Sequence, residues 1–317
     1  MSNLLVRVHA RTLLADGVLG FEFRAQDGQS LPPFTAGAHV DVWASERLVR
    51  QYSLCNDPAE TDRYQIAVQR SAVSRGGSIA MHEKIQTGAL LRISAPRNLF
   101  ELQPAQHSLL VAGGIGVTPL LAMAHSLHRL GVSFELHYAG RERRRMAFVD
   151  LLQASEFAER VRVYSDESGA RLDAEALLAT QPRGTHLYVC GPAGFMDMLL
   201  DTARRLNWPE RQLHREFFAG TTPTINPDDE GFEIQIASSG LRCRVEPGQR
   251  VIDVLATHGV EVPVSCESGV CGTCLTTVLE GEPDHRDSYL TDEEKRDSRQ
   301  FTPCCSRARS PVLVLDL

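Results

Sequence analysis

The feature that most constrains this chain is a cysteine pattern. Cys266, Cys271 and Cys274 stand at spacings of x4 and x2, and a pair, Cys304-Cys305, follows thirty residues later. Five of the eight cysteines therefore lie between Cys266 and Cys305. A tight loop that delivers three thiolates, with a fourth from a distant segment, is the plant-type arrangement for two irons and two sulfides. Gly269 and Gly272 fall where such a loop needs positive φ or a close approach of backbone to inorganic sulfide. A structural zinc site is the alternative, but it favours paired C-x2-C elements, and only one is present here. The fold must hold this loop open and fix the distant cysteine beside it.

Length and composition set the frame around that loop. At 317 residues the chain has room for two or three domains. A hydrophobic content of 43% with 23% charged residues is that of a globular protein, and no apolar run approaches the roughly 18 residues of a membrane span. Met1 to Arg7 runs straight into an alternating, strand-like pattern without the basic and apolar segments of a signal peptide, so a cytoplasmic location is expected. Reducing conditions there favour cysteines as ligands or buried thiols over disulfides. The net charge of −7 offers no footprint for nucleic acid and suits docking to a basic patch on a protein partner.

Along the chain the texture changes twice. The first hundred residues hold short alternating runs at Val18–Arg24, His39–Val42, Gln51–Leu54, Gln65–Gln69 and Leu90–Ser94, separated by Gly, Pro and Asp. They predict an antiparallel β-barrel or sandwich. From Ser108 strands and helices alternate: strands at Ser108–Val111, Phe134–Ala139, Val161–Tyr164 and His186–Val189, helices at Leu120–Leu130, Ala147–Ala158, Leu172–Ala179 and Gly194–Leu206. That alternation predicts an α/β domain with a parallel sheet. Thr221–Gly231, rich in Pro, Thr and Asp, reads as a linker. The expected domains are 1–103, 104–225 and 226–317.

Two glycine-rich runs suggest phosphate contacts. Arg75-Gly76-Gly77-Ser78 exposes backbone N–H groups, and Ser78 is expected to cap a following helix. Gly113-Gly114-Ile115-Gly116-Val117-Thr118-Pro119 sits between a strand and a helix, where a dinucleotide can approach a helix N-terminus. Asp166, just past a strand, reads as a solvated loop carboxylate with a possible ribose contact. The run Arg141-Glu142-Arg143-Arg144-Arg145 could pair with a 2′-phosphate, although most charge runs are solvated faces. Cys55 and Cys243 read as buried small hydrophobes. His125 and His128 share a helix face and belong to no motif.

Taken with Arg50-Gln51-Tyr52-Ser53-Leu54-Cys55-Asn56, Cys190-Gly191-Pro192, Asp284-His285-Arg286-Asp287 and Cys304-Cys305-Ser306-Arg307-Ala308, these motifs span nearly the whole chain. In that order they resemble the phthalate dioxygenase reductase type of class IA oxygenase reductases, and within it the vanillate O-demethylase reductase subunits. The resemblance implies a multidomain fold: an FMN-binding β-barrel, an α/β NAD(P)H-binding domain and a C-terminal α+β ferredoxin domain of the plant-type β-grasp class.

It also implies roles for particular residues. Arg50 would pair with the flavin phosphate, Tyr52 would pack on the isoalloxazine and Ser53 would lie near its redox-active edge. Ala67, Val68 and Gln69 would line the ring, and Gly76, Gly77 and Ser78 would cradle one phosphate, which points to FMN over FAD. Gly113, Gly114, Gly116, Thr118 and Pro119 would hold the nicotinamide dinucleotide, with Asp166 at its ribose. Cys190, Gly191 and Pro192 would flank the nicotinamide. Phe218 would lie over the flavin, with Phe217 as the other candidate for that place. Ser53, Thr118, Cys190 and Phe218 are thus the residues closest to the chemistry. The family pattern selects Cys304, with Cys266, Cys271 and Cys274, as the cluster ligand and leaves Cys305 a buried bystander.

The implied activity is an oxidoreductase's: hydride passes from NADH to FMN, and electrons leave singly through the [2Fe–2S] cluster. The implied acceptor is a Rieske-type non-haem iron oxygenase acting on an aromatic compound. The chain has no Cys-x-His pair for a Rieske centre of its own. A reductase for a haem monooxygenase, or one preferring NADPH, would share these motifs. A bare ferredoxin carrier would not need the first 220 residues, and a zinc-stabilised interaction module would be colourless.

Overall fold

The computed structural model describes residues 3–45, 48–71, 76–218, 226 and 229–317. Arg75 and residues 221–225, 227 and 228 of the expected linker lie outside the described residues. The chain divides into two compact units, Met1–Phe217 and Phe218–Leu317.

The first unit opens with β1 (Asn3–Ala15), β2 (Val18–Ala25), β3 (Ala38–Ser45), β4 (Leu48–Ser53) and β5 (Tyr64–Gln69). Helix α1 (Gly77–Glu83), β6 (Leu90–Ser94) and β7 (Arg97–Asn98) follow. The strands form one sheet in the order β4-β3-β6-β1-β2-β5, with β7 paired to β3. Its ends approach where the Cys55 N–H donates to the Gln65 carbonyl at 2.9 Å, so the sheet curls into a barrel. Alternate residues such as Val6, Val8, Phe21, Phe23, Val40, Val42 and Ile93 fill its interior, as period-two patterning dictates.

The same unit continues through β8 (His107–Gly113), α2 (Val117–Arg129), β9 (Ser133–Gly140), α3 (Val149–Gln153), β10 (Val161–Ser165) and α4 (Ala174–Ala179). It closes with β11 (His186–Cys190), α5 (Ala193–Arg205) and β12 (Leu213–Glu216). These five strands are parallel, in the order β10-β9-β8-β11-β12. Helices α2 and α3 cover one face and α4 and α5 the other, which is why β8 is apolar from Leu109 on and β11 from Leu187 on. Helix α3 is shorter than the expected Ala147–Ala158. Phe148 enters it in the left-handed region, and the Ser155 hydroxyl donates to the Leu152 carbonyl, closing the turn instead of extending it. The barrel meets this sheet through the β1–β2 hairpin, where the Asp16 N–H donates to the Arg144 carbonyl at 2.8 Å, and through Ala67, packed on Ala147.

The second unit contains β13 (Phe232–Ile236), β14 (Arg242–Val245), α6 (Val251–Thr257), β15 (Thr276–Glu280), β16 (Pro283–Asp284), α7 (Asp292–Asp297), β17 (Gln300–Phe301), β18 (Arg307–Ala308) and β19 (Val312–Leu315). A mixed sheet runs β14-β13-β19-β15-β17, and Val251, Val254 and Leu255 of α6 pack on it with Phe232, Ile234 and Leu313. This is the β-grasp arrangement, with the cysteine loop lying between α6 and β15.

Candidate functional site

In the parallel sheet the strand order reverses direction between β8 and β11, and ligands of such sheets bind outside the carboxyl ends at that switch point. Gly113 to Gly116 follow β8, and Cys190-Gly191-Pro192 follow β11. The two turns touch: a Cβ on Gly116 would lie 2.2 Å from the Cys190 carbonyl oxygen, and one on Gly113 would meet the Phe195 ring at 2.8 Å. Glycine is required there by backbone contact. Gly116→Ala should cost about 1–3 kcal/mol by overpacking and raise KM for NADH, as urea unfolding and steady-state rates would show. Thr118, buried at the head of α2, donates from Oγ1 to the Ile115 carbonyl at 3.1 Å, and Pro119 occupies the helix's first turn.

Because all five strands run parallel, their C-terminal ends share one edge, in the order Asp166, Arg141, Gly113, Cys190, Glu216. Asp166 is three strands from Cys190, or roughly 14 Å at ordinary strand spacing, a span that fits an extended dinucleotide. Asp166 is exposed and lies 3.6 Å from the Arg171 guanidinium. In the neighbouring arginine run, Arg143 pairs with Asp150 at 2.7 Å and Arg144 with Glu142 at 2.6 Å.

At the other end of this edge, the Ser53 hydroxyl from the barrel donates to Glu216 Oε2 at 3.2 Å, across 163 residues of sequence. Burial pushes the Glu216 carboxyl up to about 8, and the Ser53 hydrogen bond only partly opposes that rise. The side chain is enclosed by protein and still partly accessible, as a group on the floor of a cleft is. Cys190, paired in register with Glu216, is fully buried, and burial followed by the nearby carboxyl raises its thiol well above the usual range. Glu216 escaped the sequence reading because β12 is only four residues long and mostly polar, and its partner Ser53 is remote in sequence.

Strand β4 carries the flavin candidates. The Tyr52 ring is partly exposed, while its hydroxyl is shut off from solvent and has no partner among the described residues; burial raises its pKa. Arg50 lies across the start of α1, where a Cβ on Gly77 would come within 2.5 Å of its Cγ. Gly76 occupies the N-cap position with φ 90°. Ser78 is therefore not the cap: it sits inside the first turn, and its Oγ accepts from the Ser71 N–H at 3.1 Å. Ala67 and Val68 are buried on β5, and Gln69 is exposed at its end. A partly exposed tyrosine with an orphaned hydroxyl, together with a glycine-opened helix start, fits a flavin mononucleotide. Phe217 packs against the α5 side of the sheet, with Arg215 over its ring at 4.9 Å. Phe218, the first residue of the second unit, is 41% exposed.

In the second unit the cysteine loop gathers its thiols. Cys266 contacts Cys271 and Cys304, and Cys304 contacts Cys274 and also its neighbour Cys305. Four thiols, two per iron, is what a binuclear cluster takes. Hydrogen bonds from Cys271 and Cys304 hold the Cys266 thiol low, and the same contacts raise Cys271 and Cys304.

The Ser268 and Thr273 N–H groups point at the Cys266 and Cys271 sulfurs, at 3.4 and 3.5 Å. Gly269 and Gly272 have φ 74° and 67°; a Cβ on the first would strike the Cys305 sulfur at 2.5 Å, and on the second the Tyr289 ring at 2.2 Å. Cys305 turns to the Thr302 hydroxyl at 3.1 Å. No disulfide joins any of the eight cysteines. The donor set and its glycine-opened cradle fit a [2Fe–2S] cluster.

A barrel with a flavin-shaped seat, a parallel sheet with a dinucleotide edge and a four-thiol β-grasp unit define a ferredoxin-coupled flavin reductase. Comparison with known proteins agrees. Residues 234–309 match the 2Fe-2S iron-sulfur cluster binding domain, and residues 95–213 match the dimethylamine monooxygenase subunit DmmA-like N-terminal domain. The chain is 50% identical over 315 residues to the vanillate O-demethylase oxidoreductase of Pseudomonas sp. strain HR199, covering 98% of this chain and 99% of that one. The solved phthalate dioxygenase reductase superposes with a TM-score of 0.77 at 38% identity, covering 100% of this chain and 98% of the other. An intact type IV self-sufficient cytochrome P450 monooxygenase matches with a TM-score of 0.85 at 39% identity, over 99% of this chain and 41% of that longer one.

The chain belongs to the phthalate dioxygenase reductase and vanillate O-demethylase oxidoreductase family. It is an oxidoreductase, the electron-transfer reductase of an oxygenase system, and its cofactors are FMN, NADH and a [2Fe–2S] cluster. No described helix is long and apolar enough to cross a membrane.

Proposed function

We propose that this chain takes hydride from NADH at the edge shared by Ser53, Cys190 and Glu216 and delivers single electrons to a Rieske-type terminal oxygenase acting on an aromatic compound. The observation that carries the reading is the Ser53–Glu216 hydrogen bond, which brings the flavin strand of the barrel to the carboxyl edge of the dinucleotide sheet. Bound FMN would supply the exchange between two-electron and one-electron chemistry. The protein's part is positional. Arg50, Gly76, Gly77 and Ser78 seat the phosphate, and Tyr52, Ala67, Val68 and Gln69 seat the ring. Gly113, Gly114, Gly116, Thr118, Pro119, Gly191 and Pro192 place the dinucleotide. Glu216 keeps a proton beside Ser53 and Cys190. Phe218, exposed at the start of the second unit, is the aromatic residue available to cover a ring. Cys266, Cys271, Cys274 and Cys304 are the cluster ligands. We assign the flavin, nicotinamide and ferredoxin domains to 1–103, 104–225 and 226–317.

NADH is favoured over NADPH because two arginines of the 141–145 run are engaged by carboxylates, and the exposed Asp166 carboxylate stands at the next strand end, where a 2′-phosphate would be repelled. The kcat/KM ratio should favour NADH by at least about tenfold, the effect of ~1.4 kcal/mol. A cytoplasmic location suits eight cysteines that form no disulfide.

The partner reading draws on relatives named vanillate O-demethylase oxidoreductase and phthalate 4,5-dioxygenase oxygenase reductase subunit. It also draws on charge: residues 218–317 hold 17 acidic and 9 basic side chains, against 23 and 24 in residues 1–217. The cluster unit thus carries the whole negative excess, ready for a basic docking face. The similarity to a P450 fusion supports a haem monooxygenase as the second reading. The test is to mix the reduced protein with the oxygenase encoded beside it. Rapid reduction of a Rieske centre, slowing as salt rises, supports the proposal; reduction of haem proteins only would transfer it to the second reading.

A further inference from the structure

We propose that the head of α6 is a bracket that holds the two ligand-bearing segments of the cluster in register, with Arg250 as its positioning residue. This rests on the cysteine assignment above and goes beyond it, because no cysteine spacing points to residue 250.

Three contacts leave this short stretch. Arg250, the N-cap residue of α6, spans two carboxylates: its Nε and Nη2 donate to Asp253 of its own helix at 2.7 and 2.8 Å, and its Nη1 donates to Glu267 at 2.9 Å. Glu267 follows Cys266 directly, so this fork grips the loop that supplies three thiols. The Ile252 N–H, free of any intrahelical partner in the helix's first turn, donates to the Pro303 carbonyl at 3.3 Å, gripping the residue before Cys304. The Ile252 side chain packs against Cys274, Cys304 and Cys305. Behind the bracket, Arg307 donates to the Gln249 carbonyl at 2.6 Å.

Glu267 explains why a fork is needed. Its φ is 53°, in the left-handed region that a residue with a Cβ enters only at a cost of about 1–3 kcal/mol. That turn is what aims the Ser268 N–H at the Cys266 sulfur. A carboxylate tethered by a planar guanidinium, itself fixed to the helix through Asp253, offsets the strain and holds the turn. A lysine ammonium keeps the charge but cannot grip both carboxylates with the same geometry. N–H···S hydrogen bonds favour the reduced, more negative cluster, so a relaxed loop means a lower reduction potential.

The experiment uses full-length holoprotein carrying Arg250→Lys, Glu267→Gln or Asp253→Asn. The readouts are the reduction potential, the electron paramagnetic resonance line shape of the reduced cluster, and the rate at which a chelator bleaches its colour. Arg250→Lys and Glu267→Gln should bleach about tenfold faster, as loss of an outer-shell partner of a metal ligand does. Arg250→Lys should also lower the potential and broaden the resonance, although net charge is unchanged. Asp253→Asn, whose amide oxygen can still accept from Arg250 and which leaves the Glu267 contact in place, should bleach at nearly the wild-type rate. Wild-type behaviour in both Arg250→Lys and Glu267→Gln would overturn the bracket, and so would equally fast bleaching in Asp253→Asn, which would mean that α6 had merely loosened. Wild-type protein without two irons and two sulfides would instead refute the cysteine assignment.

Discussion

Cys304→Ser should purify with its flavin but without a stable cluster, and its electron delivery to an oxygenase should fall at least about 100-fold, while NADH still bleaches the flavin. Cys305→Ser should keep the cluster. The contrast follows from the partners of two adjacent side chains: Cys304 reaches Cys266 and Cys274, whereas Cys305 contacts Cys304 itself and the hydroxyls of Thr302 and Ser306. The flavin and dinucleotide candidates before Phe218 all lie in the first unit, so their chemistry should survive loss of the second unit's metal. Iron and sulfide analysis with the visible spectrum of each variant checks both. Cluster loss in Cys305→Ser with retention in Cys304→Ser would reverse the assignment.

Glu216→Gln should stabilise the first unit near neutral pH. Burial raises the folded carboxyl from 4.5 to about 8. Below pH 4.5 both folded and unfolded chains hold the proton, and the group has no effect on stability. Between 4.5 and 8 only the unfolded chain releases it, so wild-type stability falls as pH rises. Above 8 both are ionised and the penalty is constant. Each pKa unit is worth about 1.4 kcal/mol, and water in the cleft reduces the sum, so the variant should gain on the order of 2 kcal/mol at pH 7. The Tm difference from wild type should be absent at pH 4.5, grow to pH 8 and then level off. Ser53→Ala, which removes the donor, should slow flavin bleaching by NADH by about 100-fold, because the Ser53–Glu216 bond sets the angstrom-scale placement of the reacting groups. Constant Tm differences across pH would contradict a protonated Glu216.

These two predictions differ in how far the sequence foretold them. Ligand cysteines in one loop are a local property, so Cys266, Cys271 and Cys274 are legible from spacing alone. The barrel's alternating strands and the β8–α2 turn are legible for the same reason, since each pattern spans fewer than about a dozen residues. Glu216 depends on a contact between strands 163 residues apart, and no window of sequence contains it. The choice between Phe217 and Phe218 needs the α5 face, which only the packed sheet reveals. Ser78 was expected to cap α1, but Gly76 takes the left-handed entry that a side-chain cap would otherwise serve. Arg250 looks like any charged residue at a helix start until the turn at Glu267 is seen.

The most direct test of the central claim is an anaerobic titration of the purified protein with NADH, followed in the visible spectrum and paired with assays of released flavin, iron and sulfide. The account predicts one FMN, two irons and two sulfides per chain, with NADH bleaching both flavin and cluster. A colourless protein inert to NADH, or a coloured cluster with no flavin, would contradict it.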